Sequence, residues 1–348
     1  MLGPQDVGYR VVVRRIVGKR GDRPVFTDAL GELTALTADE LTVNTAAGPL
    51  TVPLAAVTAA KRIPPRAVPR RDIRALEQAA DEAWPAPVRQ RLGDWLLRAA
   101  DGWTGRGNSA LPVGDPGVPL PAAIDAVERW YGERGLPPQC NVPLPLAAAV
   151  DAALDARGWA RGPTVLVQTA PLASVLSAAE VPRQNSAGAQ APRQSPAAAD
   201  SRPDLTVVRL TERPSAAWLA MAAGRKGTPP RAALHLLTAV PHVRFAEVYS
   251  GDGAAASRSP DLLAVARGSV TGGGRWFGIM QLDVAPAMRR RGLGRHVVAE
   301  LARWAAGVGA TDAFLQVEEH NSAAVALYAG LGFTTHHTYI PWRAARPS

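Results

Sequence analysis

Between Gln281 and His296 the chain runs from an apolar stretch through Pro286 into three consecutive arginines, Arg289 to Arg291, and on through Gly292, Leu293, Gly294 and Arg295. Helical spacing begins at once, with Val297, Leu301, Trp304 and Ala305 on one face. A strand broken by proline, an Arg/Gly-rich turn and a helix start make a place for an anion. First-turn N–H groups have no helical partner, the helix dipole adds partial positive charge, and glycine lets a phosphate approach the main chain. The three arginines and Arg295 add long-range attraction for a pyrophosphate. No Gly-Lys-Ser/Thr follows, so this is not a Walker loop, and the Gly-x-Gly-x-x-Gly dinucleotide spacing is absent.

The elements that must hold this turn can be read by period. Residues 8–63 alternate as several short strands, with Gly31 as a bulge or tight bend and a turn at 47–49. So many strands in so short a stretch predict a small SH3-like β-barrel over residues 1–66, carrying no nucleophile, metal cluster or phosphate loop. From Arg71 the period is helical: Ile73, Leu76 and Ala80 mark one amphipathic stretch, and Val88, Leu92, Trp95 and Leu96 a second. A strand-like segment from Trp95 ends in a Gly-rich turn. Helices over 122–131 and 147–154 and strands over 139–142 and 164–168 follow, with Gly158 closing the second helix. Residues 177–203 hold almost nothing large to bury and predict a disordered linker, the clearest domain boundary. Beyond it come strands at 205–210, 243–249, 262–270 and 276–284, with a helix at 216–223. The anion loop, its long helix, a strand at 313–317 and a last helix complete the order.

At 348 residues, 47% hydrophobic and 20% charged, the chain suits a globular protein of two or three domains. No apolar run is long enough to span a bilayer, and the first residues have neither a basic leader nor an apolar core segment. Cys140 is the only cysteine, which excludes an internal disulfide and a cysteine metal cluster and fits a reducing cytoplasm. The net charge of +9 suits an anionic ligand as well as nucleic acid. Arginine is abundant beside a general surplus of Ala, Gly and Pro, and no aromatic residues interleave the arginines, so charge is weak evidence for nucleic acid.

Arg289-x-x-Gly292-x-Gly294 resembles the loop with which GNAT acetyltransferases cradle the pyrophosphate of coenzyme A. Two further stretches resemble the same family in the same order. One is the strand running into Glu318, Glu319, His320 and Asn321; the other is the Ala-rich turn through Tyr328 to Gly332-Phe333. The resemblance implies an α+β or α/β mixed sheet over residues 204–345 and acetyl-CoA as acetyl donor. It implies that the backbone of Leu282, Asp283 and Val284 pairs with the pantetheine arm. The amides of Arg290, Arg291, Gly292, Leu293, Gly294 and Arg295 would hold the pyrophosphate, with Arg289 opening the loop and Asn321 touching the arm. Tyr328 would protonate the departing thiolate, a role that suits a phenol beside a leaving group.

The implied reaction is transfer to a primary amine, on a small molecule or a protein, by direct attack. The amine must lose a proton, and Glu318 or Glu319 is the first choice of base; Glu247, Asp283, His296 and His320 are further candidates. The position where some relatives carry a glutamate base falls near Gly278, which leaves the base unassigned. His336 and His337 could line the acceptor pocket, with their side chains on opposite faces of a strand. Residues 70–175 resemble a degenerate GNAT half without a pyrophosphate loop, in which residues 103–109 could face the acceptor groove. The other reading is a non-catalytic adaptor that senses acyl-CoA and recruits protein or nucleic acid through the barrel.

Overall fold

The computed structural model describes residues 2–21, 23–63, 68–180, 208–224, 229–250 and 261–344. Two units divide at Val68 and Pro69. In the first, β1 (Arg10–Arg20), β2 (Arg23–Leu36), β3 (Glu40–Thr45), β4 (Gly48–Pro53) and β5 (Val57–Arg62) form an antiparallel sheet of order β4-β3-β2-β1-β5. Alternation puts Val11, Val13, Ala29, Leu33, Leu41, Val43 and Val52 into one buried cluster. The closed barrel expected over residues 1–66 is instead an open sheet. β4 and β5 lie at opposite edges, joined by the short helical turn Leu54–Ala56, and no ladder connects them. Gly31 is not the bulge: it pairs in register with Val11 and Thr45, and the irregularity falls between Leu33 and Ala35. Its lack of a side chain serves a close approach, since a Cβ there would lie 2.1 Å from the Asn44 carbonyl oxygen.

The second unit is built on a nine-stranded sheet. Its strands are β8 (Gln139–Leu144), β9 (Ala160–Arg161), β10 (Val165–Pro171), β11 (Val208–Thr211), β12 (His242–Tyr249), β13 (Leu262–Thr271), β14 (Trp276–Val284), β15 (Asp312–Glu318) and β16 (Thr334–Arg343). The order is β11-β12-β13-β14-β15-β10-β16-β8, with β9 on β16. β10 therefore sits between β15 and β16, so the segments on either side of residues 176–203 share one sheet. Residues 181–203 of the expected linker lie outside the described residues. Residues 177–180 are the last turn of helix α4 (Leu172–Glu180), held by buried Leu172 and Val175.

Side-chain alternation separates two layers of helices. Ala264, Ala266, Phe277, Ile279, Ala313 and Leu315 face α4, α7 (Leu293–Val308) and α8 (Ser322–Ala329). Val265, Met280 and Phe314 point the other way, toward α1 (Arg70–Glu82), α5 (Ala216–Ala223) and α6 (Arg231–Thr238). Trp218 fixes α5 on that face: it is fully buried, meets Phe245 edge-on and donates its indole N–H to the Ala266 carbonyl oxygen at 3.2 Å. α2 (Leu120–Gly132) and α3 (Ala148–Ala156) enclose a further core with β8 and the end of β16. The second amphipathic stretch expected at 88–96 is a hairpin of β6 (Val88–Leu92) and β7 (Trp95–Ala99). Gly93 turns it at φ +55°, where a Cβ would meet the Asp115 carbonyl oxygen at 2.4 Å. α6, unanticipated, starts after Pro230 and buries Ala232, Ala233, Leu236 and Leu237. No helix among the described residues is long and apolar enough to cross a membrane.

Candidate active site

β14 and β15 run parallel and pair only from Trp276↔Asp312 to Ile279↔Leu315. Both strands continue, β14 to Val284 and β15 to Glu318, so they part beyond that point. A bulge accompanies the parting. Gln281 has φ +54°, and Met280 pairs with Arg267 while Asp283 pairs with Val265, which leaves two residues opposite Ala266. The edge of Leu282, Asp283 and Val284 is thereby turned toward the gap. Val284 is answered by side chains there: its N–H donates to Asp283 Oδ1 at 2.8 Å, and its carbonyl accepts from Arg289 Nε at 3.0 Å.

The gap leads to the Arg/Gly turn. Arg290 at φ +61° and Gly292 at φ +89° both take left-handed conformations, and Gly292 caps α7. The first backbone bond of the helix is from His296 N–H to the Gly292 carbonyl. Among the described residues, the amides of Arg290, Arg291, Gly292, Leu293 and Gly294 donate to no backbone carbonyl. A Cβ at Gly294 would sit 3.2 Å from Leu327 and 3.7 Å from Leu282, so glycine lets α7 close on β14 and α8. Arg289, Arg290 and Arg291 are exposed. The Arg295 guanidinium instead bonds the carbonyls of Ala178 (2.6 Å) and Gly330 (2.8 Å), tying α4 to the end of α8.

α8 begins where Asn321 Oδ1 accepts from the Ala324 N–H at 3.2 Å, so this residue acts as a helix cap. Tyr328 lies in the same core as Leu282 and Val284, edge-on to Phe333, and burial pushes its hydroxyl up to about 12. A phenol held protonated in this way is a proton donor at neutral pH. Glu318 is exposed and meets His320 Nε2 at 3.2 Å, and Glu319 is exposed beside it. Glu247 is buried, with Oε2 accepting from the Tyr249 hydroxyl at 3.1 Å.

This geometry has relatives. The model of the family described as "Probable histone acetyltransferase Rv0428c C-terminal" matches residues 71–340. The chain belongs to this family of GNAT acetyltransferases. The probable histone acetyltransferase Rv0428c of Mycobacterium tuberculosis is 32% identical over 354 residues, covering 98% of this chain and 97% of its own length. The uncharacterized N-acetyltransferase YobR of Bacillus subtilis is 28% identical over 281 residues, 77% of this chain and 98% of its own. In fold, a GCN5-related N-acetyltransferase from Kribbella flavida superposes with a TM-score of 0.53 at 14% identity, over 81% of this chain and 98% of that one.

On the opposite face of the acetyltransferase sheet lies a small polar cavity lined by Glu77, Asp81, Arg98, Arg106, Gln316 and Tyr339 among others. Gln316 is the first residue of β15 past the last pair with β14, and its buried Oε1 has no partner. Of residues 103–109, Arg106 lines this cavity, and its Nη1 approaches Met280 Sδ at 3.7 Å. Gly278 offers no room for an acid, because a Cβ there would lie 2.8 Å from the Phe314 ring. Sequence reasoning passed over Glu77, which accepts from His337 Nε2 at 2.8 Å. Nor are His336 and His337 on opposite faces. Val167 pairs with His337 and Gln168 with Thr335, so His336 is an extra, bulged residue, and the two rings meet with Nδ1 atoms 2.8 Å apart. Cys140 is fully buried in β8, and burial pushes its thiol up to about 12, which leaves no thiolate for an acyl-enzyme.

Proposed function

We propose that this acetyltransferase moves the acetyl group of acetyl-CoA to a primary amine by direct attack. The observation that carries the reading is the parting of β14 from β15, with an amide-rich turn at one end and a polar cavity at Gln316. The amides of Arg290 to Arg295 would hold the pyrophosphate, and Leu282, Asp283 and Val284 would pair with the arm after the Asp283 and Arg289 side chains yield Val284. Asn321, as the cap of α8, would fix the segment beside the arm. The amine nitrogen attacks the thioester carbon from the cavity, and Glu77 receives its proton. Glu77 fits this task better than Glu318 or Glu319, which stand exposed outside the cavity. As the C–S bond breaks, Tyr328 protonates the sulfur. Residues 70–175, the degenerate half, then supply cavity walls rather than a cofactor loop.

Thiol release from acetyl-CoA, measured with the purified chain over an amine panel, tests the reading; direct attack gives an intersecting-line kinetic pattern. Tyr328→Phe, which keeps the packing on Phe333, is expected to lower kcat on the order of 100-fold. An unchanged kcat removes the acid role. Gly292→Val forces a branched residue into φ +89°. Its predicted effect is a roughly tenfold weaker acetyl-CoA Kd by calorimetry, because strain of about 1–3 kcal/mol would swing the turn amides away. Unaltered affinity would mean that the turn does not hold the pyrophosphate.

A further inference from the structure

Two arginines beside the acceptor cavity lack the counter-ion that a buried cation normally has. Arg267, on β13, is fully buried. Its Nε donates to the Leu237 carbonyl at 2.8 Å, and Nη1 approaches Ser269 Oγ at 3.4 Å and Met280 Sδ at 3.5 Å. The guanidinium lies over the Trp84 ring at 5.3 Å, and Nη2 has no partner. Arg106 lines the cavity, meets the same Met280 sulfur, and has a buried Nε without a partner. Arg98, in the same cavity, is paired with Asp81 at 3.1 Å. Among the described residues neither arginine has a carboxylate within ion-pair distance: Asp81 is bound by Arg98 and Arg89, and Glu77 is hydrogen-bonded to His337.

Desolvation and the neighbouring Arg106 push the Arg267 guanidinium down to about 9, which still leaves it cationic at neutral pH. Two guanidinium groups without an ion-pair partner, sharing the Met280 sulfur and with Arg106 lining the cavity, are matched to an anion that arrives from outside. We propose that Arg106 and Arg267 form a carboxylate-binding subsite, so that the acceptor is an amino acid or similar amino-carboxylate. This rests on the reading of the cavity as the acceptor site. The donors at Arg106 Nε and Arg267 Nη2 suit the two oxygens of a carboxylate. The unpartnered Gln316 Oε1 and the Glu77 carboxylate suit the amine end. A lysine side chain within a peptide has no carboxylate close to its amine and would leave the arginines unanswered.

The test offers the full chain a panel of α- and ω-amino acids, each beside its carboxamide and its decarboxylated amine, together with a lysine-containing peptide. With thiol release as readout, kcat/KM for the best carboxylate is expected to exceed that of its carboxamide on the order of 100-fold. Arg106→Gln should bring the two within about fivefold while leaving the acetyl-CoA Kd unchanged. Arg267→Met, similar in volume, should also erase discrimination while keeping or raising Tm, since it removes an uncompensated buried charge. A purely structural Arg267 would instead lower Tm and spare discrimination. Turnover without discrimination, or discrimination that survives both substitutions, overturns the subsite and leaves acetyl transfer standing. No turnover with any amine would count against acetyl transfer itself. Calorimetry with the same amino acids and carboxamides then decides the subsite: carboxylate-dependent binding lost in Arg106→Gln supports it, and equal or absent binding overturns it.

Discussion

Glu77→Gln is expected to lower kcat by about 10²–10⁴-fold and to leave the acetyl-CoA Kd unchanged. The reason lies in a chain of hydrogen bonds. Burial, followed by the neighbouring His337, pushes His336 down to about 4, so its ring is neutral near pH 7 and carries one proton. If that proton sits on Nδ1, His336 donates to His337 Nδ1, and His337 Nε2–H donates to Glu77 Oε1. This sequence of donors makes Glu77 Oε1 an acceptor, oriented by His337, on a residue that lines the cavity. Glutamine can still accept from His337, so the variant should fold while losing the group that takes the proton. Steady-state kinetics with a saturating amine is the measurement; a kcat within threefold of the parent would show that another group is the base. The His336 shift also has a stability consequence. The unfolded chain protonates this ring near 6.5 and the folded chain only near 4, so its contribution is present above 6.5 and is lost as pH falls through that window.

The second large effect is on stability. Asp81→Ala should destabilise the acetyltransferase unit by about 3–5 kcal/mol, read as a lower urea midpoint. Asp81 on α1 and Arg98 on β7 are both buried, 5% and 2% exposed, and Arg89 adds a further bond to the same carboxylate. Arg98 also donates from Nε to the Ser109 carbonyl at 3.0 Å and from Nη2 to Ser109 Oγ at 3.1 Å, while its own carbonyl accepts from the Tyr131 hydroxyl at 2.8 Å. Deleting the carboxylate leaves a fixed, desolvated cation in a cavity that already holds Arg106 and lies beside Arg267. The double variant Asp81→Ala/Arg98→Met should recover much of the loss, because the uncompensated charge goes with it. A loss below about 1 kcal/mol for Asp81→Ala would mean that water or Arg89 screens the pair.

Much of the cofactor half was legible because its logic is local. A helix start, the left-handed glycine before it and the cap at Asn321 are governed by neighbours in the chain; periodicity marks α7 and the strands around it, and the family resemblance of residues 321–333 marks α8. Errors arose where a local pattern had two solutions. The apolar spacing at 88–96 fits a helix face and a hairpin alike, and the turn at Gly93 settles it as a hairpin. The first sixty residues show strand periodicity but not whether the edge strands pair, so a closed barrel was expected and an open sheet was found.

The proposed acceptor side was hidden because its groups are far apart in sequence. Glu77 and His337 are separated by 260 positions and Arg106 and Met280 by 174, and nothing in either neighbourhood marks them as partners. A bulge in β16, visible only against β10, turns two adjacent histidines onto each other. The residues by themselves determined the Arg/Gly turn, the order of strands and helices around it, and the tyrosine that follows. Only the tertiary structure decided which charges are stripped of water and which remain without a counter-ion, because desolvation depends on what packs around a group, not on its neighbours along the chain.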